Sequence, residues 1–237
     1  MSSAAHAFRQ ALHAGNEFAR AIDQPDFPLD EFLRLQDWQR QRFRLTYADF
    51  IARESARPAC QFFLEELYGG LGFRQRDEDV NRVEPIMSRL LPDRALLALS
   101  EALNLQLISL ELDRNMAEVL RQESVAFIDD SSYASAYRVV GRLHDREKQI
   151  ELIRKLGHEL QALTRLSLLR GLVKAVRKPA QAAGFGSLQK FLEQGLSAFR
   201  KLEDPQLFVE TIYQREMQLL KHWISDEPVE IQASFSP

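Results

Sequence analysis

Glu66 is the carboxylate whose setting most invites chemistry. At about 100° per residue, Phe62, Glu66, Ala59 and Phe63 fall on one helix face, with Leu67 and Cys60 beside them. Glu65 projects to the more polar side, near Gln61 and Tyr68. The spacing therefore predicts Glu66 in apolar surroundings, close to a helix C-terminus, where the helix dipole disfavours negative charge. A carboxylate held there must be ion-paired, hydrogen-bonded or neutral. Arg44 and Arg53 on the preceding helix and Arg82 on the following one are the candidate partners. Two roles fit such a group: a buried ion pair that fixes how three helices meet, or a ligand-pocket carboxylate tuned for acid–base work or cation binding.

The second feature is cationic. Arg165, Arg170, Lys174, Arg177 and Lys178 follow one another with no acidic residue between them. On a helical wheel Arg170, Lys174, Arg177 and Lys178 share one face, opposite Leu166, Leu169, Leu172, Val173 and Val176. Cations in the last turns of a helix complement its dipole, so a solvated face accounts for the pattern. The same face could dock an acidic protein, nucleic acid or an anionic lipid surface.

Other chemistries fail on spacing. Di-iron carboxylate bundles need Glu-x-x-His, but His6, His13, His144, His158 and His222 follow Ser3, Gln10, Gly141, Lys155 and Leu219 at that distance. His-Glu-x-x-His, the phosphate-binding Gly-x-x-x-x-Gly-Lys and the nucleophile Gly-x-Ser-x-Gly are all missing from the sequence. One cysteine, Cys60, permits neither an intrachain disulfide nor a multi-cysteine metal site, and it reads as a small apolar core residue. No metal and no cofactor is expected. A net charge of -3 argues against nucleic-acid binding by bulk charge.

The elements that must hold these residues are helices. The 237 residues are 45% hydrophobic and 27% charged, the balance of an ordinary globular chain with a real core. Gly and Pro are scarce and sit at joints, which makes helix boundaries readable. The pattern predicts helices over about 4–22, 29–54, 58–69, 77–91 (with Pro85 inside, as a kink or split), 92–123, 131–140, 145–177, 187–202 and 205–224. The 92–123 helix is apolar on nearly every side and is expected to be central. The fold class is all-α: an irregular bundle of about eight helices around one long central helix, with a short non-helical C-terminal tail. Residues 1–224 are expected to form a single domain, with 127–132 the joint if there are two, and 225–237 to form an acidic tail. The start does not read as a signal peptide, and no uninterrupted apolar run reaches the roughly 18 residues of a membrane span; a cytoplasmic location is expected.

Phe62-Phe63-Leu64-Glu65-Glu66-Leu67-Tyr68 resembles the signature of the bacterial FFLEELY-motif proteins, matching all seven residues. Gly69-Gly70 follows where that family has Gly-Pro, a change at the helix exit. The resemblance implies an all-helical bacterial protein and brings no catalytic residues with it.

The leading functional expectation is a non-enzymatic helical interaction or regulatory protein, paired as a homodimer and open to an acidic protein partner. The alternative is a small-molecule or lipid-binding protein with an apolar cavity near the Phe62–Tyr68 segment. A weaker third reading is an enzyme whose site is scattered over Glu, Arg and Tyr residues.

Overall fold

The computed structural model describes residues 2–67, 73–166, 171 and 186–225. Among them lie ten helices and no strand. In chain order they are α1 (Ser3–Ala21), α2 (Leu29–Thr46), α3 (Ala48–Ala52), α4 (Arg57–Leu67), α5 (Phe73–Leu90), α6 (Asp93–Gln122), α7 (Asp130–Val140), α8 (Leu143–Thr164), α9 (Gly186–Lys201) and α10 (Pro205–Ile224).

Local chemistry explains most ends. Ser2 caps α1 by accepting from the Ala5 amide. Asp129 and Ser132 form a reciprocal capping box at α7. Asp204 accepts from the Leu207 amide, and Pro205 opens α10 where a missing N–H costs nothing. Gly141 at φ 61° and Arg142 at φ 52° make the tight turn from α7 into α8. Pro85 does not split α5, which runs through it with the proline exposed.

Three boundaries differ from the sequence expectation. α5 starts at Phe73, four residues before the expected 77. The helix expected over 29–54 breaks at Tyr47, whose φ of -115° and ψ of 25° leave the helical region. Arg215 on α10 holds that break: it donates to the Thr46 carbonyl at 2.8 Å and grips both Asp49 carboxylate oxygens at 2.7 and 2.9 Å. The helix expected to reach 177 instead ends at Thr164. Its last turn tightens, with the Arg165 and Leu166 amides bonding three residues back to Ala162 and Leu163.

α6 is the central element, packed against α1, α2, α7 and α8. It runs antiparallel to α8, joined by Arg94–Glu159 at 2.8 Å, Glu101–Lys155 at 2.5 Å and Ser109–Gln149 at 2.7 Å. By length and composition α6 could cross a membrane, although counting only uninterrupted apolar runs does not reveal it; half of its apolar window is buried against the other helices. Apolar packing closes the rest. Phe43, Tyr47, Phe50, Ala59, Cys60, Phe199 and Phe208 form one cluster between α2, α3, α4, α9 and α10. Leu35, Met116, Leu120, Tyr133, Tyr137, Leu219 and Trp223 form another between α2, α6, α7 and α10. α10 also passes so close to α8 that a Cβ on Gly157 would stand 2.6 Å from Val209.

Candidate functional site

The Phe62–Tyr68 segment is a packing device where the structure describes it. Phe62 lies against Phe191, with ring centroids 5.4 Å apart, and over Gly195, where an added Cβ would stand 2.9 Å from the ring. Phe63 meets Phe199 at 6.0 Å and Phe208 at 6.2 Å. The adjacent rings thus anchor α4 to α9 and α10, and Glu65 is exposed. The Glu66 side chain and all of Tyr68 lie outside the described residues. So do Arg170, Lys174, Arg177 and Lys178 of the basic face. Arg44, Arg53 and Arg82 are exposed, Arg53 with its guanidinium over the Phe50 ring at 5.3 Å. Cys60 is buried, and burial pushes its thiol up to about 12, which suits a core residue rather than a nucleophile.

Charge gathers elsewhere, where five helices meet. Among the described residues Gln36, Gln39 and Arg42 on α2, Asp113 on α6 and Arg146 on α8 are all buried, alongside Tyr133 and Tyr137 on α7 and Trp223 on α10. Each polar member occupies an apolar slot of its helix. Asp113 follows Leu110 by three and precedes Ala117 by four, and Arg146 precedes Ile150 by four. Helix periodicity therefore carries the charges inward with the core.

Their hydrogen bonds divide into a closed pair and an open one. Arg42 reaches Glu216 on α10 at 2.6 Å, and the Tyr47 hydroxyl donates to the same carboxylate oxygen at 2.7 Å. Arg42 also lies over the Trp223 ring at 5.3 Å. Asp113 accepts from Gln39 Nε2 at 2.9 Å and, more loosely, from Gln36 Nε2 at 3.4 Å. A carboxylate takes donors only, so both amides turn their NH2 groups towards it. Gln36 Oε1 and Gln39 Oε1 are then left buried with no donor.

Arg146 is the open member. It is 3% exposed, lies over the Tyr137 ring at 4.0 Å, and its charge acts on Asp113, Tyr133 and Tyr137. Among the described residues neither Nε nor Nη2 has a hydrogen-bond partner. These two nitrogens form one edge of the guanidinium, the edge that takes a carboxylate by two parallel hydrogen bonds. Trp223 Nε1, also buried, is a third donor without an acceptor among the described residues.

Burial dominates the electrostatics. It pushes the Asp113 carboxyl above its ordinary value, against the Gln39 hydrogen bond, the Arg146 charge and the Gln36 hydrogen bond. It likewise pushes up the Tyr133 and Tyr137 hydroxyls, so both are neutral near pH 7. Trp38 stacks on Tyr133 at 4.1 Å and Tyr133 meets Trp223 edge-on at 4.8 Å, so the polar groups adjoin a packed aromatic cluster.

Sequence reasoning missed this cluster because it holds no recognised motif. The available signal was register: Asp113 and Arg146 stand where the helical period demands apolar residues. His158, beside Glu210 at 2.7 Å with Arg154 on the same carboxylate oxygen at 2.9 Å, belongs to a partly exposed ion-pair strip between α8 and α10.

The pattern of one protein family, described as a domain of unknown function (DUF8198), matches residues 19–230. No curated protein and no solved structure matches the chain.

Proposed function

The chain belongs to the DUF8198 family, and for this member we propose a binding function: it is a non-enzymatic helical protein that holds a small anion in its core at Arg146. The observation that carries this reading is the Nε–Nη2 edge of Arg146, buried and without an acceptor. A buried guanidinium with unmatched donors loses hydration without replacement, which is a cost unless an anion meets it. Helical bundles build ligand sites this way, from side chains of facing helices that converge on the interior. Binding fits better than turnover because burial holds the tyrosines neutral. The FFLEELY-motif resemblance and the DUF8198 match are read as two descriptions of one family, whose named segment serves packing.

The test is a titration of the full chain with benzoate and with inorganic phosphate, followed by tryptophan fluorescence and thermal melting. Trp38 and Trp223 stand beside the site and are the only two tryptophans in the chain. Saturable binding of either anion is expected, adding about 1.4 kcal/mol of stability at ten times the Kd. The double variant Arg146→Met, Asp113→Asn removes one charge of each sign, and should fold and lose the response. Flat titrations with both anions, or an unchanged response in the double variant, would overturn the reading.

A further inference from the structure

Two carboxylates and two guanidiniums define the charge of the core site, and they are not equivalent. Glu216 is committed, holding Arg42 and the Tyr47 hydroxyl on one oxygen. Among the described residues Asp113 has only the two glutamine amides as hydrogen-bond donors, and Arg146 acts on it as a nearby charge. With all four ionised, the site is neutral. An entering carboxylate on Arg146 would leave one uncompensated negative charge in the interior, which is strongly disfavoured.

A single proton resolves this. We infer that the ligand is a monocarboxylate with an aromatic or apolar body, gripped by the Nε–Nη2 edge of Arg146 and taken up together with one proton that comes to rest on Asp113. The inference rests on the core-site reading above and names its ligand class and its proton linkage. The proton comes from solvent and no covalent bond changes. A neutral Asp113 gains a donor, and rotation of one glutamine amide brings its unmatched Oε1 round to accept it.

The surroundings of Asp113 favour this carboxylate over others. From α8 it faces Arg146, from α7 the Tyr133 hydroxyl, and from α2 the uncharged Gln36 and Gln39. α1 meets α6 through Phe18 and Ile22, in an apolar cluster with Leu110 and Ala117. Burial already pushes the Asp113 carboxyl up. The rings of Trp38, Tyr133, Tyr137 and Trp223, packed on one another beside Arg146 and Asp113, offer apolar contact to the body of such a ligand. A phosphate dianion would bring a second charge for which the site has no matching proton acceptor.

The experiment is calorimetric titration of the full chain with benzoate at pH 7.5, in two buffers of different ionisation enthalpy. Uptake of about one proton per benzoate is expected, with affinity falling about tenfold per pH unit on the alkaline side. Asp113→Asn should bind benzoate with no proton uptake and with an affinity independent of pH. Benzoate binding with no proton exchange in the natural chain overturns the inference and leaves the core-site reading standing. Phosphate binding without benzoate binding does the same. Failure of both anions removes the two readings together. The proton count in the natural chain decides the matter even if the variant does not fold.

Discussion

Two aromatic clusters sit side by side in this bundle, and they solve opposite problems. Between α4, α9 and α10 the rings are phenylalanines, with Phe62, Phe63, Phe199 and Phe208 meeting edge-on or tilted. Between α2, α6, α7 and α10 the rings are tyrosine and tryptophan, and two guanidiniums lie over them. The first cluster has rings that bring no hydrogen-bonding groups to satisfy and owes its stability to area and fit. The second spends stability on buried charge, and among the described residues some of its donors and acceptors are unmatched. The conspicuous sequence segment serves the first cluster; the buried charge belongs to the second.

Mutations should separate the two. The largest effect is expected from Phe208→Ala in the apolar cluster, a loss of about 3–5 kcal/mol in chemical denaturation. Glu216→Leu leaves Arg42 buried without its carboxylate and should cost about 3 kcal/mol, whereas Arg42→Met with Glu216→Leu recovers most of it. A double variant as unstable as the single one would show the pair to be less central than its geometry implies. Gly195→Ala forces Phe62 aside from a 2.9 Å contact and should cost about 1–3 kcal/mol, read as a lowered melting temperature.

Two carboxylates give the smallest and sharpest contrast. The folded state raises Asp113, chiefly by burial, so its contribution to stability is complete below the unfolded value near pH 4 and is lost as pH rises through the folded one. Asp49 is lowered, first by its hydrogen bond from Arg215, so its contribution is present above the unfolded value and lost as pH falls through the folded one. Melting curves should show Asp113→Asn gaining on the natural chain as pH rises from 4, and Asp49→Asn losing by about 1 kcal/mol near pH 7 and converging in acid. Parallel curves for the two variants would erase the distinction.

The all-α fold and most helix ends were legible because they are local. Asp23 to Pro28, Pro92, Gly141 and Asp204-Pro205 act on their own neighbours, and each stands at an observed boundary. The break at Tyr47 was not, since the residue that holds it, Arg215, lies 166 positions from Asp49 along the chain. The early end of α8 is set by backbone bonds that periodicity does not report, because apolar spacing continues past Thr164. The inward face of Phe62 and Phe63 followed from their phase on the wheel. The polar core was written in the sequence but outvoted: one Asp and one Arg amid leucines leave the apolar pattern intact, and their charges cancel in the total.

Placement of α10 has a consequence for how the molecule comes to exist. Residues of this helix complete both aromatic clusters, pair with Arg42, and hold the Tyr47 break. A chain emerging from the ribosome therefore carries α2 and α3 for well over a hundred residues before their partner is made. Until then the Arg42 guanidinium has no Glu216, and the faces that will meet Phe208 and Trp223 stay wet. Native order arrives late and nearly at once, so a chain stopped before Pro205 should accumulate as a loosely packed helical species rather than as a smaller version of the finished protein.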